Sequence, residues 1–184
     1  MNTDQANAGA APRMDRRKQR TRQSALAAFA GLLFEQGYET LTLSAVAARA
    51  GLGRSTLYEH FRTKDALLEA SVERPMAVLA AGGADPLALQ GLLEHVREQA
   101  GSVRVLLAQP LRSRIAQVLA ARIAVRLRAG GVPAARAALR AIAAAEALLA
   151  ALAHWLRGGC AIAIPAMAEE LATLLDRTAR AECP

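Results

Sequence analysis

Glycine pairs and proline-led starts cut the second half of this chain into stretches that suit helices. Gly82-Gly83, Gly130-Gly131 and Gly158-Gly159 close segments, while Asp85-Pro86, Val132-Pro133 and Ile164-Pro165 open them. A proline at the first helical position forfeits no hydrogen bond, and a glycine just past the last turn takes a positive φ without steric cost. Between these marks apolar residues recur at three- and four-residue steps and nowhere alternate as a strand would. An all-α fold is expected, with helices from Asp85 to about Gln99 (stopping at Gly101), a short one reaching Pro110, then 111–128, 133–157 and 165–181.

The first half follows the same logic. Residues 1–12 lack periodicity, so a disordered arm is expected over 1–14. Residues 13–22 hold six basic residues and one acid. Leu26, Phe29, Ala30, Leu33 and Phe34 then give one apolar face, closed by Gly37. Thr42 is placed to N-cap a short helix that turns Val46, Ala47 and Ala50 inward. Gly51-Leu52-Gly53 reads as a tight turn and 54–60 as a second short helix. Thr63 caps a third, with Leu67 and Leu68 inward, which Pro75 should bend or break. The expected division is a helix-turn-helix domain over 15–62 and a helical domain over 63–184, joined by a linking helix at about 64–80.

Composition narrows the function classes. Of 184 residues 53% are hydrophobic, enough for a packed core, and 23 basic against 16 acidic residues leave +7. That sign favours polyanions, nucleic acid before an anionic membrane surface, unless it reflects an Arg-rich proteome, since Lys18 and Lys64 are the only lysines. Cys160 and Cys183 have no ligand-like spacing, so neither a disulfide scaffold nor a metal site is expected. No nucleophile elbow, phosphate-cradling loop or paired catalytic acids stand out, so neither enzyme nor cofactor is expected. The apolar stretch 141–155 is broken by Glu146 and His154 and reads as too short for a bilayer. A cytoplasmic chain without a membrane partner follows.

The segment from Val46 to Leu57 has the mechanics of a DNA-reading corner. Small Ala47 lets two helices cross closely, Gly51 allows the reversal, and Val46, Leu52 and Leu57 pin the angle. The helix after the turn then presents Arg54, Ser55, Thr56, Tyr58 and His60, hydrogen-bonding side chains suited to a major groove. An ordinary helical corner accounts for the Ala and Gly but not for this polar set beside a basic arm.

Residues 16–70 resemble the DNA-binding domain of the TetR (tetracycline-repressor) family. The match runs through Thr42-Leu43, Val46-Ala47, Ala50-Gly51-Leu52, Thr56-Leu57-Tyr58, His60-Phe61 and Lys64-Asp65-Ala66-Leu67. The resemblance implies a three-helix, homeodomain-like domain. Tyr58 and Thr56 would lie at the groove, Arg54 would contact a base, and Thr42, His60 and Lys64 would hold phosphates. The chain departs from many relatives at Gly53 and Ser55, where they carry Ser and Gly, which leaves base preference near Ser55 open. The arm residues Arg16, Arg17 and Arg20 would follow the phosphate backbone or enter the minor groove.

For the second half the resemblance implies a ligand-binding and dimerisation domain in which a small-molecule effector disturbs operator binding. The last two helices suit a homodimer interface, or else simply complete the core of one subunit. On a helical wheel Ile142, Leu148, Leu149, Leu152, Trp155 and Leu156 share one side, as do Met167, Leu171, Leu174 and Thr178. Beyond Phe61 the one aromatic is Trp155, which disfavours a cage for flat cations. Eight arginines (104, 112, 114, 122, 126, 128, 136, 140) and no acid lie between Glu98 and Glu146. They are either a solvated face or include a partner for an anionic, aliphatic effector. The expected function is a ligand-responsive repressor binding a near-palindromic operator as a dimer. The alternative is a non-specific basic DNA-compacting protein, which would show salt dependence without sequence preference.

Overall fold

The computed structural model describes residues 10–180, with side chains over 16–178. Every regular element among them is helical: α1 (Ala10–Gln36), α2 (Leu43–Ala50), α3 (Arg54–His60), α4 (Lys64–Ala81), a 3-10 turn (Gly82–Ala84), α5 (Pro86–Glu98), α6 (Ala100–Leu106), α7 (Leu111–Ala129), α8 (Ala134–Arg157) and α9 (Ile164–Arg180). The all-α expectation holds. Two compact units divide the chain, Met1–Ser71 and Val72–Pro184, the division falling inside α4.

In the first unit α1 buries Ala25, Ala28, Phe29, Leu32 and Leu33, the three- and four-residue spacing that keeps one stripe inward. Phe34, expected on this face, is 40% exposed, because the stripe drifts past it. α1 takes in residues 10–14, which the sequence assigned to an irregular arm. From Ala10 onward the residues are helix formers, with Pro12 tolerated in the first turn. Residues 1–9 of that arm lie outside the described residues. Gly37 (φ 77) closes α1, its N–H meeting the Leu33 carbonyl at 3.1 Å.

Thr42 N-caps α2, its hydroxyl accepting from the Ala45 N–H at 3.2 Å. Gly51 (φ 64) ends it in paired closing bonds, Gly51 N–H to Ala48 O and Leu52 N–H to Ala47 O. Thr63 caps α4 through the Ala66 N–H at 3.0 Å. The first compact unit runs to Ser71, and within it the first turns of α4 bury Leu67 and Leu68. Pro75 does not end α4. It lies inside the continuous helix, where burial of Val72, Met76 and Leu79 offsets the lost hydrogen bond.

In the second unit Asp85 caps α5 through the Ala88 N–H at 3.0 Å, with Pro86 at the first position. The break that follows is at Gln99, not Gly101, which sits inside α6. α7 packs along α8, and α8 along α9. The buried face of α8 is built of Ala137, Ala141, Ala144 and Ala145 before it reaches Leu148, Leu149, Leu152, Trp155 and Leu156. Ile142, placed inward by the wheel, is 57% exposed, since alanines allow the close approach and the larger residue is turned out. In α9 the buried stripe is Ile164, Met167, Ala168, Leu171 and Leu175. Leu174 and Thr178 are half-buried at its edge.

α8, at 24 residues, is long and apolar enough to cross a membrane by length and composition, longer than the stretch read from the sequence. Its packing against α7 and α9 within the unit is that of a core helix. Among the described residues no cluster of His, Cys, Asp and Glu is arranged to hold a metal.

Candidate nucleic-acid interface

α3 is short, and one residue fixes its orientation. Leu57 is fully buried, and its N–H bonds the Gly53 carbonyl at 3.0 Å. With Leu57 inward, Arg54, Ser55, Tyr58 and Glu59 are exposed, while Thr56 and His60 are half-buried. Tyr58 is 47% exposed, unusual for an aromatic in a unit whose other aromatics except Phe34 are buried. The helix therefore shows solvent a ridge of hydrogen-bonding groups and no apolar side chain other than the tyrosine ring.

The neighbouring elements hold this ridge in place. Thr42, at the start of α2, is exposed. Its oxygen is used by the cap, so its O–H stays available as a donor. Lys64 opens α4, but its Nζ donates to the Tyr38 carbonyl at 3.0 Å and the Glu39 carbonyl at 3.2 Å, and lies 4.6 Å from the centroid of the Tyr38 ring. Its neighbour Asp65 accepts a hydrogen bond from the buried Tyr38 hydroxyl. The α1–α2 turn and the first turn of α4 are thus clamped by three residues. One ammonium proton of Lys64 is left for an outside acceptor.

Arg49 of α2 grips Glu35 of α1 with both terminal nitrogens, Nη2–Oε1 at 2.6 Å. Its guanidinium also lies against Gly31, 3.6 Å from where a Cβ would stand. The hydrogen bond from Arg49, and then its charge, hold the Glu35 carboxyl below the usual carboxylate range. Arg22 places its guanidinium 5.1 Å above the buried Phe61 ring. That is a cation–π contact of ordinary geometry. Arg16, Arg17, Lys18 and Arg20 are all exposed, on the part of α1 ahead of buried Ala25.

Arg54, Ser55, Thr56, Tyr58 and His60 therefore share one short helix, with Thr42 and Lys64 at the starts of the helices beside it in sequence. Arg16, Arg17 and Arg20 form a separate basic stretch. Sequence reasoning overlooked Glu59, although helical spacing from Leu57 marks it as outward. It also missed the Tyr38–Lys64–Asp65 clamp, whose members are too far apart in the chain for any local signal.

Residues 25–71 match the sequence model of bacterial regulatory proteins of the tetR family. An uncharacterized HTH-type transcriptional regulator of Bacillus subtilis (strain 168), YxbF, is 35% identical over 65 residues, which is 35% of this chain and only 17% of that relative. Among solved structures, a TetR transcriptional regulator from Streptococcus agalactiae 2603V superposes with a TM-score of 0.57 at 24% identity, covering 90% of this chain and 98% of that one. NalD of Pseudomonas aeruginosa, the secondary repressor of the MexAB-OprM multidrug efflux pump, gives 0.50 at 21% identity over 88% and 96%. These two likenesses show the fold.

Proposed function

We propose that this chain, a member of the TetR family of bacterial regulatory proteins by its helix-turn-helix domain, is a transcriptional repressor that binds a near-palindromic DNA site as a homodimer. The observation that carries the reading is α3, a helix pinned by buried Leu57 whose solvent side is entirely hydrogen-bonding groups. Arg54 suits guanine, since a guanidinium bonds O6 and N7 together. Tyr58 and Thr56 sit at the groove wall. Thr42, His60 and the remaining proton of Lys64 take phosphates, which position without specifying sequence. Arg16, Arg17 and Arg20 add electrostatic attraction.

The side of α8 that carries Leu148, Leu149, Leu152, Trp155 and Leu156 is taken up by the core of the subunit, so dimerisation through α8 and α9 falls to the solvent side of α8, where Leu139 is 72% and Ile142 57% exposed among alanines. We assign the C-terminal unit a small-molecule effector that favours a spacing of recognition helices unfit for the operator. The scarcity of aromatics points to an aliphatic compound bearing an anionic group. Of the eight arginines, Arg104 donates to the Leu156 carbonyl, Arg112 pairs with Glu146, Arg122 pairs with Glu73 and Arg126 caps the end of α4. An anionic effector draws on one of the set, displacing its bond where it has one. Thermal-shift screening checks this: stabilisation by neutral or cationic compounds, with none from aliphatic acids, removes the assignment. The protein acts in the cytoplasm, where its DNA lies.

The deciding experiment is binding of purified protein to its own upstream intergenic DNA against scrambled DNA at about 150 mM salt. Tight, sequence-dependent binding lost in Tyr58→Ala is expected. Equal weak binding to both duplexes, together with no enrichment of any genomic fragment, returns the molecule to the alternative of a non-specific binder. The exposed basic stretch of α1 is the feature that favours that alternative.

A further inference from the structure

The outermost line of α3 is not its arginine or its tyrosine. At about 100° per residue, Thr56 and Tyr58 flank Leu57 on the wheel, while Ser55 and Glu59 both fall about 160° from it. With Leu57 fully buried, Ser55 and Glu59 form the crest of the helix, and both are exposed. Nothing among the described residues explains the carboxylate at that position. Glu59 forms no hydrogen bond or ion pair among the described residues. It lies in the last turn of α3, where a negative charge opposes the helix dipole. On a face that is to enter a groove lined by phosphates, it lowers affinity unless it accepts a hydrogen bond.

We propose that Glu59 is a specificity-determining residue that reads a cytosine in each half-site. The inference rests on the repressor reading of α3. An ionised carboxylate only accepts hydrogen bonds. On the major-groove edge the donors are the amino groups of cytosine and adenine. Adenine sets its N7 acceptor beside the amino group, which repels a carboxylate, whereas cytosine presents N4 without an acceptor of its own alongside. Guanine and thymine offer Glu59 acceptors, to which it adds repulsion. Glu59 therefore selects by rejecting three bases as much as by binding the fourth. Ser55, one turn earlier on the same crest, is short enough to let Glu59 reach the groove floor.

Selection from a randomised duplex pool tests this with the full chain, Glu59→Gln and Glu59→Ala, each first shown to melt as the parent does. The parent is expected to enrich sites with cytosine at one fixed position per half-site, preferred about five- to tenfold over other bases. Glu59→Gln moves that position toward adenine, whose N6 and N7 match a side-chain amide. Glu59→Ala flattens it while leaving the other positions unchanged. If both variants enrich the parent's sequence with the same discrimination everywhere, the inference is overturned, and Glu59 only repels phosphate. A parent that enriches nothing refutes the repressor reading itself, and the two failures are thereby distinguished.

Discussion

Two residues share a left-handed backbone and differ in whether a side chain is suited to it. Gly51 sits at φ 64 and Cys160 at φ 59. Both follow the end of a helix, and Cys160 closes α8 by donating its N–H to the Trp155 carbonyl at 2.9 Å. The left-handed region brings Cβ too close to the following carbonyl for an L-residue, at about 1–2 kcal/mol. Opposite outcomes follow. Cys160→Gly raises the urea midpoint by an amount worth about 0.5–1 kcal/mol, the relief being partly offset by the freer unfolded chain. Gly51→Ala lowers stability by about 1 kcal/mol for backbone reasons alone, since a Cβ there meets no atom within 4 Å. Denaturant titration of the three proteins measures both, and equal signs refute the argument.

Helix ends were legible in the sequence and helix faces only partly so. Thr42, Thr63 and Asp85 cap where their spacing indicated, because a cap is a bond between a side chain and the amide three residues on. Faces depend on which neighbour approaches, and in α8 the alanines decided this by admitting α7 and α9 closely, leaving Ile142 outside. The polar ridge of α3 could be read from Leu57 outward. The clamp of Tyr38 by Lys64 and Asp65 could not, as it exists only once α1 and α4 are in place. The bond between α1 and α2 carries a pH dependence. Glu35 titrates lower in the fold than unfolded, because Arg49 donates to it. Its stabilising contribution is complete above the unfolded value near 4.5 and is lost as pH falls through the lowered one. The pair is exposed, so the effect is small. The difference in Tm between the parent and Glu35→Gln should stay constant above pH 5 and shrink toward zero below about pH 4.

At the scale of the whole molecule the net charge of +7 and the bare side of α8 meet in one experiment. Leu139→Glu combined with Ile142→Glu places two carboxylates on that side without touching a buried residue. The expected result is a monomer by sedimentation, helical content and Tm within a few degrees of the parent, and operator affinity reduced at least about a hundredfold. A dimer that persists in this variant overturns the assignment of the interface. In the proposed homodimer the same bare side also governs how the protein responds to its own abundance. With two copies needed per operator, occupancy at low expression climbs with the square of the number of chains. Halving the gene's output then frees most of the occupied operators instead of half of them, and a modest change in synthesis is amplified at the regulated promoter.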